Sequence, residues 1–163
     1  MSPTKLVPLV AACIYLAILM PLALGAEIVQ ACSLLTKDEF AQVLGRPAFT
    51  EPDGEMTGVC GYDGGQVLLY PGPNSQAAWE GTLKAFGYEN AERVPVEGVG
   101  ESAYAFYVKP KDEYQDASAF VVFVVGDFTV AVSVNADNGQ AGETVHDKAV
   151  TLAKMAAAKV PKS

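Results

Sequence analysis

"ASAFVVFVVGDFTVAVSVNA", residues 117–136, decides how the rest of the chain must fold. Two runs rich in β-branched and aromatic residues flank Gly126-Asp127, and a two-residue Gly-X loop is the type II′ pattern that joins antiparallel strands. With that turn, Val125 faces Phe128 and alternate residues share a face. One face carries Val121, Phe123, Val125, Phe128, Val130 and Val132 and reads as core. The other sets Phe120, Val122 and Val124 against Thr129, Ala131 and Ser133. The run from Ala119 to Val125 is apolar on both faces, which makes this strand central. It is too short to cross a membrane as a helix.

The second face, half apolar and half small or hydroxylated, is the candidate binding face. Two readings fit it. The alanine-rich helix at the C-terminus packs there, because small residues let backbones approach. Alternatively, the face stays partly open as a shallow groove for a partner. Phe120 and two valines are too apolar to be left wet, which favours helix cover.

Working outward, the elements follow from local signals. Thr36 and Glu39 form an S/T-x-x-E capping box, and Leu35 and Phe40 fit a hydrophobic staple around it. That helix ends at Gly45, before Pro47. "VCGYDGGQVLLY", residues 59–70, reads as a hairpin with Asp63-Gly64-Gly65 at its turn and Cys60 on its first strand. A second helix is capped by Asn74 or Ser75 and ended by Gly87, with Trp79, Leu83 and Phe86 as one buried stripe. "RVPVEGVGESAYAFYV", residues 93–108, is two strands about a Gly98–Gly100 turn, the first an edge because of Pro95. The last helix runs from about Gly142 to Val160, burying Val145, Ala149, Leu152, Ala156 and Val160. The order α-β-β-α-β-β-β-β-α predicts an α+β domain over residues 27–163. It has an antiparallel sheet of about six strands packed with three helices.

Residues 1–26 read as a secretory signal peptide: Lys5, an apolar run from Leu6 to Leu24, then small residues at Ala23, Gly25 and Ala26. The apolar run is almost long enough to be an uncleaved anchor. Pro21 and the small-residue exit favour cleavage before Ala26 or Glu27 instead. The expected location is therefore the periplasm or the medium, with no membrane span after cleavage. The 163-residue chain has a formal net charge of −8. Nucleic acid is an unfit partner for it, because phosphate contacts need clustered Lys and Arg.

Cys13 leaves with the leader. The two remaining cysteines, Cys32 and Cys60, read as one disulfide in an oxidising compartment. Lipid attachment at Cys32 would strand Cys60, and Glu27 and Gln30 separate Cys32 from the apolar run. A zinc site needs three or four ligands, and there are two cysteines and one histidine.

His146 is the only histidine. It sits in the first turn of the last helix with no adjacent serine or cysteine, so it reads as a residue beside the core. A hydrolase built on it with a distant serine or carboxylate is the enzymatic alternative. Trp79, on its stripe, reads as core rather than as a stacking platform. Two acidic groups, Glu51, Asp53 and Glu55 and then Asp112, Glu113 and Asp116, read as solvated loops, since neither has calcium-loop spacing. Gly98-x-Gly100 lacks a phosphate-loop lysine. No catalytic residue, cofactor or metal is expected.

The set C-S-L-L-T at 32–36, L-G-R-P at 44–47, C-G-Y at 60–62 and V-E-G-V-G-E-S-A-Y at 96–104 resembles small secreted or lipoprotein-like domains of the bacterial envelope. Related-looking domains include extracytoplasmic sensor modules of membrane kinases and the Mog1/PsbP-like α/β fold. The resemblance, over about residues 31–155, implies a Cys32–Cys60 disulfide and an exported domain. It carries over no catalytic residues. The expected function is an exported, non-enzymatic binding or interaction module with a protein or small-molecule partner in the envelope. A structural envelope protein is the remaining alternative.

Overall fold

A computed structural model describes residues 29–47, 58–110, 116–137 and 139–162. The leader, the acidic residues Glu51, Asp53, Glu55, Asp112 and Glu113, and Asn138 lie outside the described residues. The elements are α1 (Ala31–Leu34), α2 (Lys37–Leu44), β1 (Val59–Tyr62), β2 (Gly65–Pro71), α3 (Ser75–Phe86), β3 (Val94–Pro95), β4 (Ser102–Val108), β5 (Ser118–Val125), β6 (Phe128–Asn135), a 3₁₀ turn (Gly142–Val145) and α4 (His146–Ala157).

The strands form one antiparallel sheet in the order β1-β2-β6-β5-β4-β3. The β5–β6 hairpin has the expected register, with Val125 opposite Phe128. Its glycine, Gly126, takes a φ of 53°, and no non-glycine residue has positive φ among those described, as a type II′ turn requires. β5 and β6 lie at the centre, and β3, shortened around Pro95, lies at an edge. α+β is therefore the class, and the disulfide joins Cys32 to Cys60. It ties α1, a single turn absent from the sequence reading, to β1. With the Cys32 thiol in that bond, no sulfur is left there to carry a lipid.

α2 begins as its sequence dictates. Thr36 Oγ1 accepts the Glu39 backbone N–H at 3.2 Å, and Glu39 Oε2 accepts the Thr36 N–H at 2.7 Å. Gly45 closes the helix at a φ of 73°. Lys159 Nζ then clamps Glu39 from the far end of the chain at 2.6–2.8 Å.

Helices cover the two faces of the sheet differently. On the first face, Val121, Phe123, Val130 and Val132 are buried against α1, α2 and α4. The stripe foreseen on the last helix is buried there, with Ala153 added to it. This corrects the expectation that the alanine-rich helix covers the Phe120 face. Helix α3 lies on that second face instead, where Trp79 and Leu83 join Phe106, Val108, Val122 and Ala131 in a separate cluster. Phe86 is a second correction. It continues the stripe by spacing but is 63% exposed, at the rim of a cleft rather than in the core.

Candidate functional site: a cleft beside the third helix

α3 reaches the second face through its N-terminal end. Ser75, its first residue, accepts a buried hydrogen bond of 3.0 Å from Thr129 on β6. One turn on, Trp79 donates its indole N–H to the Tyr104 hydroxyl at 2.7 Å. Burial raises the Tyr104 pKa, and the indole contact partly opposes the shift. Arg93 pairs with Glu80 through both guanidinium nitrogens (2.8 and 2.7 Å) and lies 4.7 Å from the Tyr104 ring centre. These contacts fix the helix over the Thr129–Ala131–Val122 end of the sheet.

The last turns of α3 leave a hollow against the rest of the face. A cleft of about 490 Å³ lies there. Leu68, Ser133 and Phe120 form its floor, continued by Phe106 and Val108 on β4. Phe106 and Phe120 stack at 4.9 Å with 14° between their rings. Thr82, Leu83 and Phe86 from the last turns of α3, with Tyr88 just beyond, make the wall. Gln66, Ser118, Asn135 and Asp116 make the polar end. There the Ser118 hydroxyl donates to Asn135 Oδ1 at 3.1 Å. The volume falls within the few hundred to a thousand Å³ of small-molecule sites.

The six residues of the candidate face all project from the second face, but to different ends. Phe120 and Ser133 line the cleft. Val122 and Ala131 are buried under α3. Thr129 anchors the helix, and Val124, opposite Thr129, is half-buried and does not line the cleft. Gln66, Leu68, Phe106, Ser118 and Asn135 were missed by the sequence reading. Alternation along β2 and β4 carries the signal for them, since Gln66 pairs with Ser133 and Phe106 with Phe120. Trp79 is 3% exposed and is core, as its stripe implied.

His146 lies elsewhere. Its Nδ1 is 3.0 Å from the Tyr107 hydroxyl, and Tyr107 points from β4 to the α4 side of the sheet. Burial, with Glu143 and Asp147 nearby, raises the Tyr107 pKa. The pair therefore sits on the opposite face from the cleft. Among the described residues, no group of three or more His, Cys, Asp or Glu is placed to hold a metal ion. Among the same residues no helix is long and apolar enough to cross a membrane. No family model, curated protein or solved structure matches the chain.

Proposed function

We propose that the chain is an exported, non-enzymatic binding module whose ligand seats in the cleft between α3 and the uncovered end of the sheet. The observation that carries this reading is the cleft itself. It is concave, with stacked aromatic rings on its floor and hydroxyl and amide groups at one end. Phe86, the most exposed large apolar side chain among those described, stands at its lip. A large apolar side chain is disfavoured in water, and a ligand in the cleft would cover it. The disulfide and the acidic composition fit an exported domain. The hydrolase reading has less support, because His146 is paired with a phenol on the other side of the sheet.

Native mass spectrometry of the protein purified from its envelope fraction tests this. Wild type should carry a bound small molecule. Gln66→Trp, which fills the cleft from a half-buried position, should lose it while melting within a few degrees of wild type, and Ser133→Phe, which fills it from a buried one, should lose it at a cost in stability. Equal retention in a folded variant of either kind overturns the reading. So does a wild type that emerges from the envelope with nothing bound.

A further inference from the structure

The chemistry around the cleft selects among ligands. Its walls grade from apolar at Leu68, Phe106 and Phe120 to polar at Ser118, Asn135 and Asp116. Among the described residues, the only charged side chain that lines it is the Asp116 carboxylate, and no Lys or Arg does so. No ion pair among those residues engages Asp116. α3 offers the cleft its last turns, the end of a helix where the backbone carbonyls leave partial negative charge. Lys84 shares those turns but is exposed and does not line the cleft. The whole chain is acidic. Arg46 lines the adjoining hollow with Asp116 and Asn135 but is paired with Asp137 at 3.6 Å. A carboxylate or phosphate head in the cleft would therefore meet a like charge and a helix C-terminus, with that one cation already engaged. A protonated amine would meet the reverse.

We propose that the cleft takes a small cationic amphiphile. Its apolar body would lie beneath Phe86 on Leu68 and on Phe120, which is backed by the buried Phe106, and its amine would sit at Asp116 beside the Ser118–Asn135 pair. This rests on the binding reading above and adds the ligand class to it. The apolar body supplies affinity and the head supplies selectivity, since charge at an exposed rim discriminates more than it holds.

Three probes that share one body and differ in the head test it: 2-(1-naphthyl)ethylamine, 2-(1-naphthyl)ethanol and 1-naphthylacetate. Affinities come from calorimetry at low and physiological salt, and the site comes from amide shifts of Phe120, Ser133 and the Asn135 side chain. The amine should bind at least about fivefold tighter than the carboxylate, and salt should narrow the gap. Asp116→Asn should weaken the amine about threefold and leave the alcohol unchanged. Equal affinities, a preferred carboxylate, or amine-induced shifts away from the cleft would overturn the proposal. Absence of amine binding at millimolar concentration would also do so. If the alcohol or the carboxylate binds in the cleft with no advantage for the amine, only the ligand class fails. The binding reading itself is decided separately, by whether cleft-filling variants lose the native ligand.

Discussion

The Thr129 hydroxyl lies 3.0 Å from that of Ser75 and donates to it, and both side chains are buried. This contact joins the first residue of α3 to the second residue of β6. The helix is pinned at its start, above Thr129, and its last turns wall a cleft whose floor includes Ser133. Where α3 is pinned thus positions one wall of the cleft.

Thr129→Val keeps the shape and removes the donor, leaving the Ser75 hydroxyl to lose a buried partner. Urea unfolding should show a loss of about 1–3 kcal/mol. Adding Ser75→Ala should cost less than the sum of the two single changes, because neither group is then left unpaired. Strict additivity would mean that the hydroxyls do not couple.

Ala131 is fully buried between the central strands and α3. Ala131→Trp overfills that contact, and thermal melting should report a loss of about 1–3 kcal/mol or more. A variant that melts like wild type would show that α3 does not sit on Ala131.

The Cys32–Cys60 bridge spans a sequence separation of 28. By the chain-entropy argument its removal costs about 3–4 kcal/mol. Protein from the envelope should take up no alkylating reagent when denatured without reductant. Its intact mass should begin at Ala26 or Glu27 and carry no acyl chain. Stoichiometric labelling, or a mass starting at an acylated Cys32, would refute the exported, bridged form.

Two groups contribute to the pH dependence of stability at its acid and alkaline ends. The Lys159 ammonium, then the Thr36 N–H, holds the Glu39 carboxyl below its usual range. A depressed carboxyl pKa contributes stability that is complete above the unfolded value and fades as pH falls through the folded one. Glu39→Gln should therefore be least stable relative to wild type near neutrality, and the difference should fade as pH falls through and below the ordinary carboxylate range. At the other limit, burial and then the Glu39 charge push Tyr62 up to about 12. Its hydroxyl donates to the Leu35 carbonyl at 2.8 Å. A raised tyrosine pKa holds the proton in the folded state, so stability falls as pH rises from about 10 toward 12. Tyr62→Phe should flatten part of that alkaline limb, the raised Tyr104 and Tyr107 keeping the rest, and an unchanged limb would show that Tyr62 does not contribute.

His146→Gln should leave amine-probe affinity within about twofold of wild type, since the cleft and the His146–Tyr107 pair lie on opposite faces. A loss of more than about tenfold at unchanged stability would return His146 to the functional site.

What the sequence determined is local. Gly126-Asp127 set the β5–β6 register, because only a residue free to take positive φ closes that two-residue turn. Thr36 and Glu39 started α2 because their side chains satisfy N–H groups three residues apart. The stripe on α4 and the alternation of β5 named which side chains are buried. They did not say against what. Both faces of β5 are apolar, so pattern alone could not assign α4 to Phe123 and α3 to Val122. Only the tertiary structure decided that. α3 links β2 to β3 across one face of the sheet, while α1, α2 and α4 fill the other. Phe86 shows the same limit within one helix, since spacing placed it on the Trp79–Leu83 stripe but the sheet beneath it was uncovered. Periodicity fixes the direction of a side chain, whereas its burial depends on whether a second element reaches that place. The cleft exists where none does.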